Sequence, residues 1–276
     1  MTAMRTRFLF AAALLCASAV FAAEPSSSDA ARVREAHKLT VLTDLSDPYD
    51  LSRLIYRVGS GYDGIEYDIL KSFAHTLDAE VELIVAPSFE SLFGSLARGE
   101  GDVACASITD TPERHKIVDL SDSYFPVRET VIRPKGGTEQ SLADFAGKRA
   151  ITQKGTTWEV ECLKVPRVRI TYTENQGELF ARVADGSADF TVTDSPMAMT
   201  YLEKYPGLEI AWSLPQKQNY AFALRKGSDL TPLLNAFLQR LKASGTYYAL
   251  LGRFYGQKGL AIIQASETEE PPAQKR

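Results

Sequence analysis

Gly101-Asp102-Val103-Ala104-Cys105-Ala106-Ser107-Ile108-Thr109-Asp110-Thr111-Pro112-Glu113-Arg114 is the stretch on which the reading of this chain turns. It opens on a Gly-Asp turn, runs apolar over residues 103–108, then breaks into a Thr- and Pro-containing turn that ends on an arginine. A short apolar run bounded by turn residues reads as a buried strand. Just before it, Leu92 and Leu96 with a stop signal at Gly99 predict a helix. Further upstream, Leu39-Thr40-Val41-Leu42-Thr43 and Val81-Glu82-Leu83-Ile84-Val85 read as strands on either side of a helix carried by Ile69, Leu70, Phe73, Ala74 and Leu77. This βαβα order predicts a largely parallel sheet covered by helices.

The alternation restarts after the breaker-rich Arg133-Pro134-Lys135-Gly136-Gly137, a hinge candidate. Ala150-Ile151-Thr152 is a strand, and a helix begins near Gly155-Thr156-Thr157. Residues 168–172 form another strand, residues 179–183 a helix, and Phe190-Thr191-Val192-Thr193 a strand ending at Asp194. A second round of this length implies a second lobe. Helices over residues 230–241 and 246–254 close the chain.

The ends carry other signals. Arg5 and Arg7 precede an unbroken apolar run over residues 8–15, and Val20-Phe21-Ala22 or Phe21-Ala22-Ala23 offers a cleavage site, so residues 1–23 read as a secretory signal peptide. The apolar stretch is shorter than the roughly 18 residues a membrane-spanning helix needs. Leu15 before Cys16 is not the small residue a lipoprotein signal places there. An exported, periplasmic protein is the expectation. Residues 24–36 and 261–276 lack apolar periodicity and read as a flexible lead and a flexible tail. With 45% hydrophobic and 24% charged residues the chain is ordinarily globular, and a net charge of −4 without a basic tract excludes nucleic acid as a partner.

The decisive stretch, continued to Asp119-Leu120-Ser121-Asp122-Ser123-Tyr124, resembles the signature of the family 3 extracellular solute-binding proteins, the amino-acid-binding components of ABC importers. Gly64-Ile65-Glu66-Tyr67-Asp68, Lys154-Gly155-Thr156-Thr157, Asp185-Gly186-Ser187-Ala188-Asp189, Thr193-Asp194-Ser195-Pro196, Leu224-Arg225-Lys226-Gly227-Ser228 and Ser244-Gly245-Thr246-Tyr247 follow in the family's order. The resemblance implies an α/β, type II periplasmic-binding-protein-like fold. Each of its two lobes would be a mainly parallel sheet flanked by helices, and two strands, near residues 130–133 and 220–224, would cross between them. Lobe 1 would then comprise residues 37–131 and 224–260, and lobe 2 residues 132–223. The implied function is capture of an amino acid or similar small zwitterion by a monomer that delivers it to an inner-membrane ABC permease. No catalysis, metal or cofactor is expected.

The same resemblance assigns roles, and the chemistry of each residue suits its role. Arg114 offers a planar fork that holds a carboxylate through two parallel hydrogen bonds. Thr109 and Ser107 would donate to the ligand and accept from its ammonium, and as turn residues they could equally serve as local caps. Gly155, Thr156 and Thr157 precede a helix, where free N–H groups attract an anion, and Thr156 could also be an ordinary N-cap. Asp194 ends a strand at the carboxyl edge of a sheet, where α/β proteins bind ligands, and would pair with the ammonium; its alternative is N-cap of the helix that follows. The family's aromatic turn after the first strand is replaced by Asp47-Pro48-Tyr49-Asp50, so Tyr49 or Tyr56 is the candidate ligand-packing ring.

Other residues suggest other readings. The chain is also similar to the binding-protein-like module of membrane-bound lytic transglycosylases, notably at residues 64–70 and 189–195, which implies a sensing role toward cell-wall peptides. A cyclohexadienyl dehydratase on the same scaffold needs a second acid at the leaving group, and Ser195-Pro196-Met197 supplies none. Gly59-Ser60-Gly61-Tyr62-Asp63-Gly64 matches a dinucleotide fingerprint in a poor context, because Glu82 starts its strand. His37, His75 and His115 lack metal-ligand spacing. Cys105 and Cys162 are expected to be two buried thiols, with a disulfide the alternative that export would permit.

Overall fold

A computed structural model describes residues 28–45 and 53–268. The signal peptide and Tyr49 lie outside the described residues. The first sheet runs in the order β4 (Glu80–Val85), β1 (Lys38–Thr43), β5 (Val103–Ala104), β12 (Ala223–Leu224), β6 (Asp119–Leu120). β1 is parallel to β4 and β5, while β12 is antiparallel to β5 and β6. Helices α2 (Ile65–His75) and α3 (Ser91–Ala97) are the crossovers read from the apolar spacing. The hairpin β2 (Tyr56–Val58) and β3 (Gly61–Asp63) precedes α2.

The second unit holds β8 (Arg149–Thr152) parallel to β9 (Arg169–Tyr172), with α4 (Thr157–Leu163) between them. It also holds α5 (Gln176–Ala184), and β10 (Thr191–Asp194) followed by α6 (Ser195–Lys204). Its three-stranded sheet, β10, β7 (Phe125–Pro134), β11 (Leu208–Tyr220), is antiparallel rather than parallel. The physical reason is the connection: the chain leaves along β7 and returns along β11, so the two must run in opposite directions.

That ladder joins two separate cores. Val127 packs in the first and Val131 in the second; on the return strand Leu214 belongs to the second and Tyr220 to the first. The crossing segments therefore differ from the expected ones: residues 130–133 already lie in the second unit, and Tyr220, Phe222 and Leu224 are first-core residues. Between the cores the pairing slips from Thr130 with Ser213 to Arg128 with Lys217. Pro215, which has no N–H to give a ladder, sits in the slip, and its carbonyl accepts from Arg128 Nη1 at 2.8 Å. The first core draws on both ends of the chain, from Ala30 to Ile263.

Both expected flexible ends are partly structured. Residues of the lead form α1 (Asp29–Ala36), capped by Ser28 and burying Ala30 and Val33 in the first core. The Asp29 carboxylate accepts from Ser228 Oγ at 2.7 Å and pairs with Arg32 and Arg225, and Arg32 also bridges to Asp102. Eight residues whose one large apolar side chain is Val33 show little periodicity, so only long-range partners reveal the helix. Val33→Ala is expected to cost about 1–3 kcal/mol in chemical denaturation. Unchanged stability would mean that α1 is not docked.

At the other end α7 (Leu230–Ala243) leads into α8 (Thr246–Thr268), which kinks at Gly256 (φ 67°) and runs past residue 261 with Ile263 buried against the first core. Cys105 and Cys162 are buried free thiols, one in each core.

Candidate functional site

The carboxyl ends of β1, β5, β8 and β10 face one another across the gap between the two units, and a small cavity of about 10 Å3 lies there. Arg114 begins a short helical turn at the end of the motif and is 7% exposed. Its guanidinium rests against Phe89 and Phe93, 5.2 and 5.3 Å from their ring centroids. Nη1 donates to the Thr109 carbonyl at 2.7 Å and Nη2 reaches across to the Gly155 carbonyl at 3.3 Å. Burial pulls its pKa down to about 10, opposed by the charges of Asp194 and Glu129, so it remains a cation at neutral pH.

Asp194, on the other unit, is 1% exposed. It occupies the N-cap position of α6, but its side chain makes no capping bond. Oδ2 instead accepts from the Tyr220 hydroxyl at 2.6 Å, and Oδ1 is buried without a hydrogen-bond partner. Burial raises its pKa to about 6; the Tyr220 hydroxyl, the nearby Trp158 indole and Arg114 act against that rise. The Trp158 nitrogen nevertheless has no partner of good hydrogen-bond geometry. A buried guanidinium and a buried carboxylate with an open oxygen thus line one cavity from opposite units.

Thr109 is buried and bridges to Tyr220, and Ser107 lines the same cavity from a left-handed turn at φ 54°. Thr156 and Thr157 line it too, but their chemistry is partly spent on the protein. The Thr156 hydroxyl donates to the Gln153 carbonyl at 2.6 Å and accepts from Glu159 N. The Gly155 N–H is taken by Glu159 Oε2 at 2.8 Å, so this amide is not free for an anion. What Gly155 contributes is room: its φ is +77°, and a Cβ there would stand 3.1 Å from Glu90 Cβ across the gap.

The structure also brings in residues that sequence reasoning missed. Phe89, Gln153, Trp158 and Gln176 line the cavity. Of the two rings against Arg114, Phe89 is the one that lines the cavity, beyond the carboxyl end of β4, a placement that the strand-end rule could have flagged. Tyr56 is half-buried in the hairpin, its hydroxyl 3.4 Å from Asp63. Gln153 Nε2 donates across the gap to Asp44 Oδ2 at 2.6 Å and lies 3.4 Å from Glu174 Oε2. With the Lys154–Glu90 pair at 3.0 Å and the Arg114–Gly155 bond, these contacts hold the two units closed on each other.

Beside Asp194, in register on β7, stands Glu129, 2% exposed and with Oε1 lacking a hydrogen-bond partner. Burial pushes its pKa up to about 7, reinforced by the Asp194 charge and opposed by the Thr157 hydroxyl.

The chain is similar to several known proteins. The profile of the bacterial extracellular solute-binding proteins, family 3, matches residues 46–257. A membrane-bound lytic murein transglycosylase F of Desulfosudis oleivorans is 33% identical over 237 residues, which are 81% of this chain and 50% of that protein. The chain thus spans about half the length of this relative. Among solved structures, an ancestral arginine-binding protein bound to arginine superposes with TM-score 0.73 at 30% identity, covering 80% of this chain and 99% of that one. The ancestral amino acid-binding protein AncCDT-1, a precursor of cyclohexadienyl dehydratase, superposes with TM-score 0.74 at 30% identity, covering 83% and 100%.

Proposed function

This chain belongs to the bacterial extracellular solute-binding proteins, family 3, and from that premise we propose that it captures an amino acid between its lobes for ABC-type uptake. The observation that carries the reading is the pairing of Arg114 with Asp194 across one small cavity. An amino acid presents a carboxylate and an ammonium a few ångströms apart. Arg114, with Thr109 beside it, takes the carboxylate; the open Oδ1 of Asp194, with Ser107, takes the ammonium. Thr156 and Thr157 close from the second lobe. The closed cavity is only about 10 Å3, room for about one water, so the ligand enters with the lobes apart and closure forms around it.

The far end of the ligand meets Gln153, held between the carboxylates of Asp44 and Glu174. Displacing that amide would expose two acids to the ligand side chain, so a basic amino acid is favoured, in line with what the ancestral arginine-binding protein holds. Docking on the first lobe and closure of the second then form one clamp, in which only contacts made in the closed form shift the balance. The protein acts in the periplasm as a monomer that hands its ligand to an inner-membrane permease.

A thermal-shift panel of L-amino acids, muropeptides and small carboxylates tests this. At about 100 times Kd, L-arginine or another basic amino acid should raise Tm by about 5–10 °C. Shifts with muropeptides and none with amino acids would favour the second reading, a cell-wall sensor, which the transglycosylase relative supports. Product release from prephenate or arogenate would replace binding by dehydratase chemistry.

A further inference from the structure

Glu66, the second residue of α2, is fully buried at 0% exposure and is not among the residues lining the cavity. Its Oε1 accepts the backbone N–H of Ser107 at 2.8 Å and the hydroxyl of Tyr124. Ser107 has φ 54°, a left-handed conformation that a residue with a Cβ adopts reluctantly. Without the carboxylate, the N–H at this turn would lose its partner inside the protein. The acceptor is itself well anchored. The Glu66 N–H bonds the Leu54 carbonyl at 2.8 Å, and the start of an 11-residue helix favours a negative charge. Tyr124 stacks on Phe222 with centroids 4.3 Å apart, and its carbonyl accepts from the Tyr247 hydroxyl.

The turn matters because of what lies on either side of it. Ala106 lines the cavity before the bend, Ser107 at it and Thr109 after it, with Thr109 also supplying the carbonyl that anchors Arg114. We propose that Glu66 is the positioning residue of the binding cleft: its carboxylate holds the left-handed turn at Ser107 and so aims Ser107, Thr109 and Arg114 at the ligand. The inference rests on reading that cavity as the ligand site, but the geometry it invokes exists in the ligand-free chain and can be tested there.

Two measurements on the full chain decide it. In the ligand-free protein the Ser107 amide should exchange slowly by NMR, and Glu66→Gln should speed it about tenfold, because a neutral acceptor makes a weaker bond than a charged one. Glu66→Ala should speed it further; should that variant not fold, the glutamine variant still gives the answer. With L-arginine as the calorimetric probe, Glu66→Gln should weaken binding about tenfold in the native background. In the Ser107→Gly background it should weaken binding by less than about twofold, since glycine needs no restraint at this φ. An unchanged Ser107 exchange rate in a folded Glu66→Gln variant overturns the proposal. An equal loss of affinity in both backgrounds also does, since it marks a general effect on stability. If L-arginine gives no heat with the unaltered protein, the substrate reading has failed, and the exchange rates alone decide the role of Glu66.

Discussion

Asp194→Ala is expected to cost about 2–5 kcal/mol of ligand affinity, and Arg114→Ala a similar amount, because each change leaves a desolvated charge on the ligand without its partner. At the upper end this is a loss of more than a thousandfold. Calorimetry with L-arginine or the best amino acid of the panel measures it, and full affinity retained in both variants would remove the two residues from the site. The Asp194 change should also have an opposite signature in the free protein. Its carboxylate is 1% exposed, has one oxygen without a hydrogen-bond partner and is pushed up to about 6 by burial. Removing a group that the empty fold holds at a cost should leave the unliganded protein as stable or more stable at pH 8. Function and stability pull apart at binding sites for this reason.

Glu129 is expected to make the ligand-free protein less stable as pH rises. Its folded pKa is about 7 against the ordinary glutamate value of 4.5, so between those values the folded state holds a proton that the unfolded chain has shed. The stabilisation is complete below about pH 4.5 and is lost as pH climbs through about 7. The shift corresponds to about 2–3 kcal/mol after some allowance for relaxation. Asp194, raised to about 6, adds a contribution of the same sign at lower pH. Glu129→Gln, which is neutral at every pH, should therefore unfold at higher denaturant than the native chain at pH 8 and converge with it near pH 5. Parallel curves across that range would mean that Glu129 is ionised throughout, with Lys164 or Arg114 compensating the Glu161 and Asp194 charges around it.

Much of the fold was legible because it is written in short-range patterns. Apolar residues at 69, 70, 73, 74 and 77 predicted α2, and the alternating runs at 39–43 and 81–85 predicted β1 and β4, which pair residue for residue from Lys38 with Glu80 to Thr43 with Val85. The 103–108 run was read as one strand, yet only Val103–Ala104 joins the sheet, because the chain bends at Ser107 toward the cleft. Residue type gave no sign of that bend, since serine is not the residue a left-handed turn demands.

The site divides the same way. Arg114, Asp194, Ser107, Thr109, Thr156 and Thr157 could be named from motifs, and the structure gathers all six around one cavity. Gly155 was expected to offer an amide and offers clearance instead, since Glu159 occupies its N–H. Phe89, Gln153, Trp158 and Glu129 carry no motif. Glu129 reads as one polar residue in a strand until β10 is laid against it and Asp194 falls opposite.

The amino-acid order by itself determined the alternating elements and the second round of alternation that implied two lobes, because periodicity and turn chemistry act over a few neighbouring residues, while the two opposed charges were named only by the resemblance to a known family. Only the tertiary structure decided which groups meet: Asp44 with Gln153 across 109 positions, Arg114 with Gly155 across 41, and α1 with the turn before α7 through Asp29 and Ser228 across 199. Such contacts depend on how the two cores close over the β7–β11 connection, and burial there sets which carboxylates keep a proton near neutrality.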